Sequence, residues 1–370
     1  MKLKSGYTTG TCVTIAARAA VRMIFEQRII TKESVITPKG ITIETDIEKP
    51  CFDKHSASCA VKKYAGDDPD VTDGLLLFTS ISLKKEREIN IDGGEGVGRI
   101  TKQGLQQNIG EAAINRVPKL MIEENISRLF DEYGYEGGAD VIISVPGGRE
   151  CAEKTFNPRL GIVGGISILG TSGIVEPMSE KAIIDTIKVE LNVKKANEGS
   201  YVMLAPGNYG VDFIRELYSI DLDTAVKCSN YIGETLDYVL ECGFKGVLLT
   251  GHIGKLVKLA GGIMNTHSKN ADCRMEILAA NAALISNDIS AVRKIISCNT
   301  TDEAISVLKE YNICDEVMKI IMEKALFHIN NRLKNKIEAG ILMFSNVHGV
   351  LCKSDNADKM FAYFKAGENK

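Results

Sequence analysis

The alternation of apolar and polar residues predicts a first region in which strands and helices are mixed irregularly. Residues 41–47 alternate with the period of a half-buried strand, and the apolar runs 75–83 and 141–145 are also typical of strands. Ser179 precedes an amphipathic helical period and is expected to cap that helix. This mixture favours an α+β domain, which we predict to span residues 1–195.

Beyond a polar segment at 194–199, the pattern becomes more regular. The short apolar runs 201–205 and 247–250 are each followed within two residues by glycine, and long helical periods lead to a last apolar run at 341–344. Strands that alternate with helices favour a parallel, doubly wound sheet. We therefore predict a Rossmann-like α/β domain over residues 196–370.

Composition and charge narrow the classes of protein that fit this pattern. The 370 residues are 44% apolar and 25% charged, with a formal net charge of −3, so we predict no nucleic-acid partner. The best membrane candidate, 160–175, is too short and too rich in glycine to span a bilayer, so we predict no membrane association. The ten cysteines are scattered without a C-x-x-C pair, which favours reduced thiols in a cytoplasmic protein. The oligomeric state stays open, a homo-oligomer included.

Threonines and glycines gather at the start of the first predicted helix. Thr8 and Thr9 lie in the segment GYTTGTC, directly before an Ala-rich helical run. Hydroxyls and free backbone N–H groups at a helix start can bind an anion. The alternative is that the threonines cap the helix and close a tight turn.

Two further Gly-rich segments of the first region carry positive charge. The loop 92–102 has four glycines in six positions, and a predicted strand leads into Pro-Gly-Gly at 146–148. These segments could bind a ligand. Arginine can bind a carboxylate through two parallel hydrogen bonds, and a ligand with several carboxylates would need several such groups. The alternatives are a glycine-containing hairpin and a solvated charged loop. The cations concerned are Arg99, Lys102, Arg149, Lys154 and Arg159.

Two glycine-containing loops of the second region follow predicted strands. One contains Gly207, Asn208 and Gly210, and the other contains Gly251 and Gly254. A strand, then glycines, then a helix is how Rossmann-like folds bind a nucleotide. Neither loop has the full G-x-G-x-x-G pattern, and neither has the spacing of a Walker A loop.

The second of these loops also holds a histidine and a lysine. His252 could move a proton near neutral pH, or it could be a hydrogen-bonded structural group. Lys255 adds a cation beside the glycines.

Taken together, these segments resemble one family, the cobalt-precorrin-5B C(1)-methyltransferases known as CbiD. The resemblance covers nearly the whole chain in order. Its most specific segments are GYTTGTC (6–12), GGEGVGRITK (93–102), KTFNPRLGIVGGISILGTSGIVEPMS (154–179), LAPGNYG (204–210) and GFKGVLLTGHIGKLVKLAGGIMNTHS (243–268).

The resemblance implies a methyl transfer from S-adenosyl-L-methionine to C1 of a cobalt-containing tetrapyrrole in anaerobic cobalamin biosynthesis. The product would be cobalt-precorrin-6A, and the cobalt would arrive with the substrate, so we predict no metal bound by the protein. Because the sulfonium methyl is already activated, the protein would mainly align the reactants and exclude water.

Within that interpretation, the candidate residues take distinct roles. His252 is the candidate catalytic base. The candidate cofactor contacts are Gly207, Asn208, Gly210, Gly251 and Gly254. The candidates for binding the substrate carboxylates are Thr8, Thr9, Arg99, Lys102, Arg149, Lys154, Arg159 and Lys255.

The chain departs from the family pattern at three positions. Asp73 and Asn281 stand where the family commonly has histidine, and Gln103 stands where it commonly has proline. We assign no role to these positions. Two alternative functions remain open: a nicotinamide-dependent reductase, since Asp223 and Asp272 lie near the expected offset from the glycines, and a non-catalytic tetrapyrrole carrier.

Overall fold

The computed structural model describes residues 3–207, 215, 218 and 224–364. Over these residues the protein is mixed α/β, and the chain divides into two compact units, Met1–Glu180 and Lys181–Lys370. The division coincides with the start of helix Glu180–Glu198. The polar segment near the predicted boundary of 195 forms the last turn of that helix. The preceding turns bury Ile187 and Leu191.

The strands of the first unit form one large sheet and three small pairs. They are β1 (Gly6–Tyr7), β2 (Lys32–Ile36), β3 (Thr42–Asp46), β4 (Glu48–Phe52), β5 (Ser56–Lys62), β6 (Leu76–Lys84), β7 (Ile89–Gly93), β8 (Arg99–Ile100), β9 (Gly138–Ser144), β10 (Ile162–Val163) and β11 (Ile174–Val175). The large sheet has the order β4-β5-β6-β9-β7, and only β7 and β9 are parallel. The predicted strands near 41–47, 75–83 and 141–145 are confirmed as β3, β6 and β9.

Two long helices belong to this unit, one packed on the sheet and the other packed on the first helix. They are α1 (Thr9–Glu26) and α2 (Arg116–Glu132), and two short helices, α3 (Gly148–Ala152) and α4 (Asn157–Leu160), follow β9. The first helix is buried on nearly all sides because its Ala-rich surface lets β5, β6 and α2 approach closely. The Thr79 hydroxyl on β6 donates to the Val13 carbonyl at 3.0 Å, so even the backbone of α1 touches the sheet.

The Gly-rich stretch 160–175 is folded into the first unit as irregular backbone. Its strands β10 and β11 pair antiparallel with β8 and β1, and Gly6 lies opposite Val175. Gly165 lies against the backbone of Gly96. A Cβ atom added to Gly165 would come within 2.2 Å of the Gly96 carbonyl group. Among the described residues, no helix combines the length and apolar character that a membrane crossing requires.

The second unit has a sheet with the order β13-β12-β14-β15-β16. The first four of these strands are parallel, and β16 runs antiparallel to β15. Along the chain, the elements are α5 (Glu180–Glu198), β12 (Tyr201–Ala205), β13 (Val226–Lys227), α6 (Ile232–Glu241), β14 (Gly246–His252), α7 (Ile253–Leu256), a 3₁₀ turn (Val257–Gly261), α8 (Arg274–Ile285), α9 (Ile289–Ile296), α10 (Thr301–Glu310), α11 (Cys314–Arg332), β15 (Glu338–Ser345), β16 (Gly349–Lys353) and α12 (Ala357–Ala362).

Both faces of the second sheet are buried. Alternate residues of a strand point to opposite faces. On β12, Val202 and Leu204 therefore join the large core formed with α5, α6, α10 and α11, whereas Met203 and Ala205 join a smaller core with α12. The predicted strands at 201–205, 247–250 and 341–344 are confirmed. Because β13, β12, β14 and β15 are parallel, their carboxyl ends lie at the same edge of the sheet.

Candidate functional site

A cavity of about 330 Å³ lies at the carboxyl edge of the second sheet. The chain passes from β12 to β13 on one side and then to β14 on the other, so the strand order reverses beside β12. Ligands of open α/β sheets bind at such a reversal, and this volume is within the range of small-molecule sites. The lining residues that bear on function are Pro206, Gly207, Thr250, Gly251, His252, Gly254, Lys255, Arg274, Thr301 and Asp302.

Three predicted cofactor contacts line this one cavity. Gly207 follows β12, and Gly251 and Gly254 lie at the end of β14 and in α7. A Cβ atom on Gly251 would lie 2.9 Å from Cγ of Pro206 and 3.2 Å from Cδ1 of Leu256, so a larger residue would displace the loop or fill the cavity. The other two predicted contacts, Asn208 and Gly210, lie outside the described residues.

His252 is held at the start of α7 by a hydrogen bond to the backbone. The Gly254 N–H donates to its Nδ1 at 3.1 Å, while its Nε2 lies 3.9 Å from Oδ1 of Asp302. From this bond we assign the neutral tautomer with the proton on Nε2. Burial lowers the pKa of His252 below its ordinary value, and Asp302 offsets part of that shift. The half-buried ring therefore presents Nε2 as an N–H donor.

Asp302, which the sequence reasoning missed, brings a carboxylate to the same cavity. It lies in the first turn of α10, where its Oδ1 accepts a hydrogen bond of 2.6 Å from the buried Ser345 hydroxyl. The Ser345 oxygen in turn accepts from the N–H groups of Val347 and His348. The carboxylate is therefore fixed by buried groups. The T-T-D-E pattern at 300–303, which forms a capping box here, was the available signal for a helix start.

Lys255 connects the loops at the opposite side of the cavity. Its Nζ donates to the Pro206 carbonyl at 2.5 Å and to the Ser229 carbonyl at 3.5 Å. Burial lowers the pKa of the ammonium group below its ordinary value. The predicted substrate contact Lys255 thus lies with the glycine loops of the second unit, whereas the other predicted substrate contacts lie in the first.

Thr250 carries a buried polar group with no hydrogen-bond partner. Thr250 is fully buried in β14, and its hydroxyl makes no hydrogen bond within the described part of the chain. A buried hydroxyl without a partner lowers stability because its contact with water is lost without replacement.

The change Thr250→Val is therefore expected to raise the free energy of unfolding by about 1 kcal/mol in the ligand-free protein. Thr79→Val is the matched control, since the Thr79 hydroxyl is equally buried but bonds to Val13, and this variant should be destabilised by about 1 kcal/mol. Urea denaturation followed by far-UV circular dichroism measures both. Destabilisation of both variants alike would contradict the prediction.

A second cavity, of about 540 Å³, lies in the first unit. It is lined by glycines, most of them from the two predicted Gly-rich segments, and by both cations and carboxylates, namely Arg99, Arg149, Glu95 and Glu150. Arg99 donates to Oδ1 and Oδ2 of Asp92 at 2.7 and 2.9 Å, and these bonds hold the pKa of Asp92 below its ordinary value. The charge of Arg99 is thus already paired. The exposed Arg149 makes no ion pair or hydrogen bond through its side chain to any residue that the structure describes.

The remaining predicted substrate contacts are placed differently. Thr8 caps α1 by accepting from the Thr11 N–H, and the Thr9 hydroxyl donates to the Leu169 carbonyl at 3.1 Å. Both threonines are buried and their hydroxyls bond within the protein. This is the alternative in which they cap the helix and close a turn. The side chain of Lys102 packs against Gly161. A Cβ atom added to Gly161 would come within 2.4 Å of the lysine Cγ. The other two cations are Lys154, which is exposed, and Arg159, which is half-buried in α4.

Two of the three departures from the family pattern make specific structural contacts. Oδ1 of Asp73 accepts from the Ala65 N–H at 2.7 Å. The buried Asn281 donates to the Ile277 carbonyl and accepts from Nζ of Lys324 at 2.7 Å. Both residues therefore fix local structure.

Comparison with known proteins gives consistent matches along the chain. A family model described as CbiD matches residues 1–177, and a second, CbiD, C-terminal domain, matches residues 265–355. A protein of Ruminiclostridium cellulolyticum is 51% identical over 94% of this chain and 90% of its own length. One of Alkaliphilus metalliredigens is 42% identical over 99% of this chain and 96% of its own length. Both are named cobalt-precorrin-5B C(1)-methyltransferase.

Among solved structures, the crystal structure of a cobalamin biosynthesis protein (cbiD) from Archaeoglobus fulgidus is similar to this chain. The sequence identity is 30%, and the match covers 74% of this chain and 84% of that one, with a TM-score of 0.39.

Proposed function

Because this chain belongs to the CbiD family, we propose that it is the enzyme that transfers a methyl group to C1 of cobalt-precorrin-5B in cobalamin biosynthesis. The single observation that carries this function is sequence identity across both units: 42% over 99% of the chain to a relative that bears this name. The product is cobalt-precorrin-6A, and the cobalt belongs to the substrate. We place the reaction in the cytoplasm.

We propose that S-adenosyl-L-methionine is the methyl donor and that it binds in the cavity of the second unit. The reversal of strand order, the glycines that line the edge and the cavity volume all support this site. The parallel arrangement β13-β12-β14-β15 also supports a Rossmann-like description of the second unit, with β16 as an antiparallel addition.

The roles that we propose for the residues at this edge follow from their geometry. When bound, S-adenosyl-L-methionine supplies an electrophilic methyl group on a sulfonium. Gly207 and Gly251 line the cavity without side chains, so a ligand can approach the main chain closely, which helps to exclude water and to align the reactants. We propose His252 as the catalytic residue. Because its Nδ1 accepts from the Gly254 N–H, its Nε2 faces the reactants as an N–H donor, and the ring can take up a proton only at Nδ1 with loss of the Gly254 bond.

We propose that cations of the first unit bind the acidic side groups of the macrocycle. Arg149 is the strongest candidate, since it is exposed beside a glycine-lined cavity and makes no side-chain pair within the described residues. Lys102, Lys154 and Arg159 are further candidates. The charge of Arg99 is already paired with Asp92. An exposed ion pair contributes only about 0–1 kcal/mol, so several contacts are required.

Binding and turnover test this function separately. S-adenosylhomocysteine at about 100 times its Kd is expected to stabilise the folded protein by about 2.7 kcal/mol. Incubation with cobalt-precorrin-5B and methyl-labelled donor should then yield labelled cobalt-precorrin-6A. Stabilisation by NADH instead would favour the reductase alternative, and binding of the corrinoid without labelled product would favour a carrier.

A further inference from the structure

The cavity of the second unit carries opposite charges at its two ends. Lys255 bonds to carbonyls that follow β12 and β13, and Asp302 bonds to Ser345 at the end of β15. The strand β14 lies between β12 and β15. With neighbouring strands about 4.8 Å apart, the two ends of the cavity are separated by roughly 10 Å. A ligand that spans the cavity meets a cation at one end and a carboxylate at the other.

The Lys255 end suits a ligand carboxylate. An ammonium group has three N–H donors, and Lys255 uses two of them on the Pro206 and Ser229 carbonyls. The third donor is left for a ligand. A charged hydrogen bond in a half-buried position binds a carboxylate more strongly than a neutral donor would.

The Asp302 end suits a ligand that donates hydrogen bonds. Oδ1 of Asp302 is fixed by the Ser345 hydroxyl, while Oδ2 makes no hydrogen bond to the residues that the structure describes. An ionised carboxylate only accepts hydrogen bonds, and two neighbouring hydroxyls can donate to it together. The preorganised carboxylate therefore matches a vicinal diol.

We propose that the cavity holds the methyl donor in one orientation, with its carboxylate at Lys255 and its ribose hydroxyls at Asp302. This assignment rests on the proposed function. In the donor, about eight single bonds separate the carboxylate carbon from a ribose hydroxyl oxygen, or roughly 10 Å when extended. The sulfur lies near the middle of that path. The orientation thus brings the sulfonium to the end of β14, beside Gly251 and His252.

Truncated ligands test the orientation. 5′-Methylthioadenosine keeps the ribose and lacks the amino-acid portion, including its carboxylate, so its binding should not depend on Lys255. By isothermal titration, Lys255→Met is expected to weaken S-adenosylhomocysteine binding roughly 10- to 100-fold and to leave 5′-methylthioadenosine binding within about twofold. Asp302→Asn should weaken both ligands by similar factors, again roughly 10- to 100-fold.

Matched variants and the unmodified protein make the outcomes distinct. Asp288→Asn is the control for Asp302→Asn, because Asp288 also begins a helix but lies outside the cavity, and it should bind both ligands normally. If Lys255→Met does not fold, the unmodified protein should still prefer S-adenosylhomocysteine to its decarboxylated analogue by at least about tenfold. An equal loss of both ligands in Lys255→Met, or a loss confined to S-adenosylhomocysteine in Asp302→Asn, would overturn the orientation. No binding of S-adenosylhomocysteine by the unmodified protein would overturn the proposed function instead.

Discussion

Gly96→Ala is expected to lower the free energy of unfolding by more than about 4 kcal/mol, enough to leave the first unit largely unfolded. The backbone of Gly96 has a positive φ of 73°, and a Cβ atom there would lie 1.9 Å from the Val145 carbonyl oxygen. That oxygen belongs to the backbone that leads from β9 into α3, so it cannot rotate away as a side chain would. Relief of the clash requires the Gly-rich segments to separate.

Gly164→Ala is the matched control, since Gly164 also has a positive φ, of 86°, but nothing lies within 4 Å of the added Cβ atom. This variant should lose only about 1–2 kcal/mol, the cost of a left-handed conformation for a residue with a side chain. Urea denaturation monitored by far-UV circular dichroism compares the two. Equal losses in both variants would show that the close approach at Gly96 is unimportant.

Gly251→Val should weaken S-adenosylhomocysteine binding at least about 100-fold, equivalent to roughly 2.7 kcal/mol. The new side chain would meet Pro206 and Leu256 at contact distances too short for carbon atoms, so its methyl groups must occupy the cavity or displace the loop after β12. Either response removes space that the ligand needs. Isothermal titration measures the affinity, and circular dichroism establishes that the variant is folded.

Gly261→Val is a suitable control for that experiment. Gly261 ends the 3₁₀ turn outside the cavity, and its added Cβ atom would first meet Cδ1 of Ile277, the far end of a side chain, at 3.0 Å. Its affinity for S-adenosylhomocysteine should match that of the unmodified protein. Normal binding by Gly251→Val would remove this loop from the proposed site.

The glycine loops of the second unit could be grouped from the sequence because of a simple property of parallel sheets. Two apolar runs that are followed by glycine, 201–205 and 247–250, become the neighbouring strands β12 and β14, so their loops share an edge. The same logic did not reveal Asp302. Its carboxylate is fixed at that edge by Ser345 at the end of β15, a contact between residues 43 positions apart.

Charge was harder to interpret from the sequence than glycine. The sequence alone suggests Arg99 as a ligand contact, but in the folded protein Asp92 of β7 pairs with it. The sequence similarly suggests the hydroxyls of Thr8 and Thr9 as ligand contacts, but in the folded protein they bond to the start of α1 and to the Leu169 carbonyl. A cation or hydroxyl therefore indicates a ligand only after its intramolecular partners are known.

Short and edge elements gave too little periodicity to be predicted. The strand β13 has two residues, Val226–Lys227, and β16 lies at the sheet edge with partly exposed side chains. Neither shows an alternation that distinguishes a strand from a loop. Long elements buried on one or both faces, such as β6 and α5, carried the pattern clearly.

The pairing of β1 with β11 has a consequence for how the protein is made. Gly6 and Tyr7 lie opposite Val175 and Ile174, and the start of α1 is held by Leu169 and Gly173. The start of α1 therefore lacks these particular partners until residues 169–175 have been synthesised, although β5, β6 and α2 can pack on the helix earlier. Such a high contact order favours slow folding, so the nascent first unit should depend on protection from aggregation until that late segment emerges.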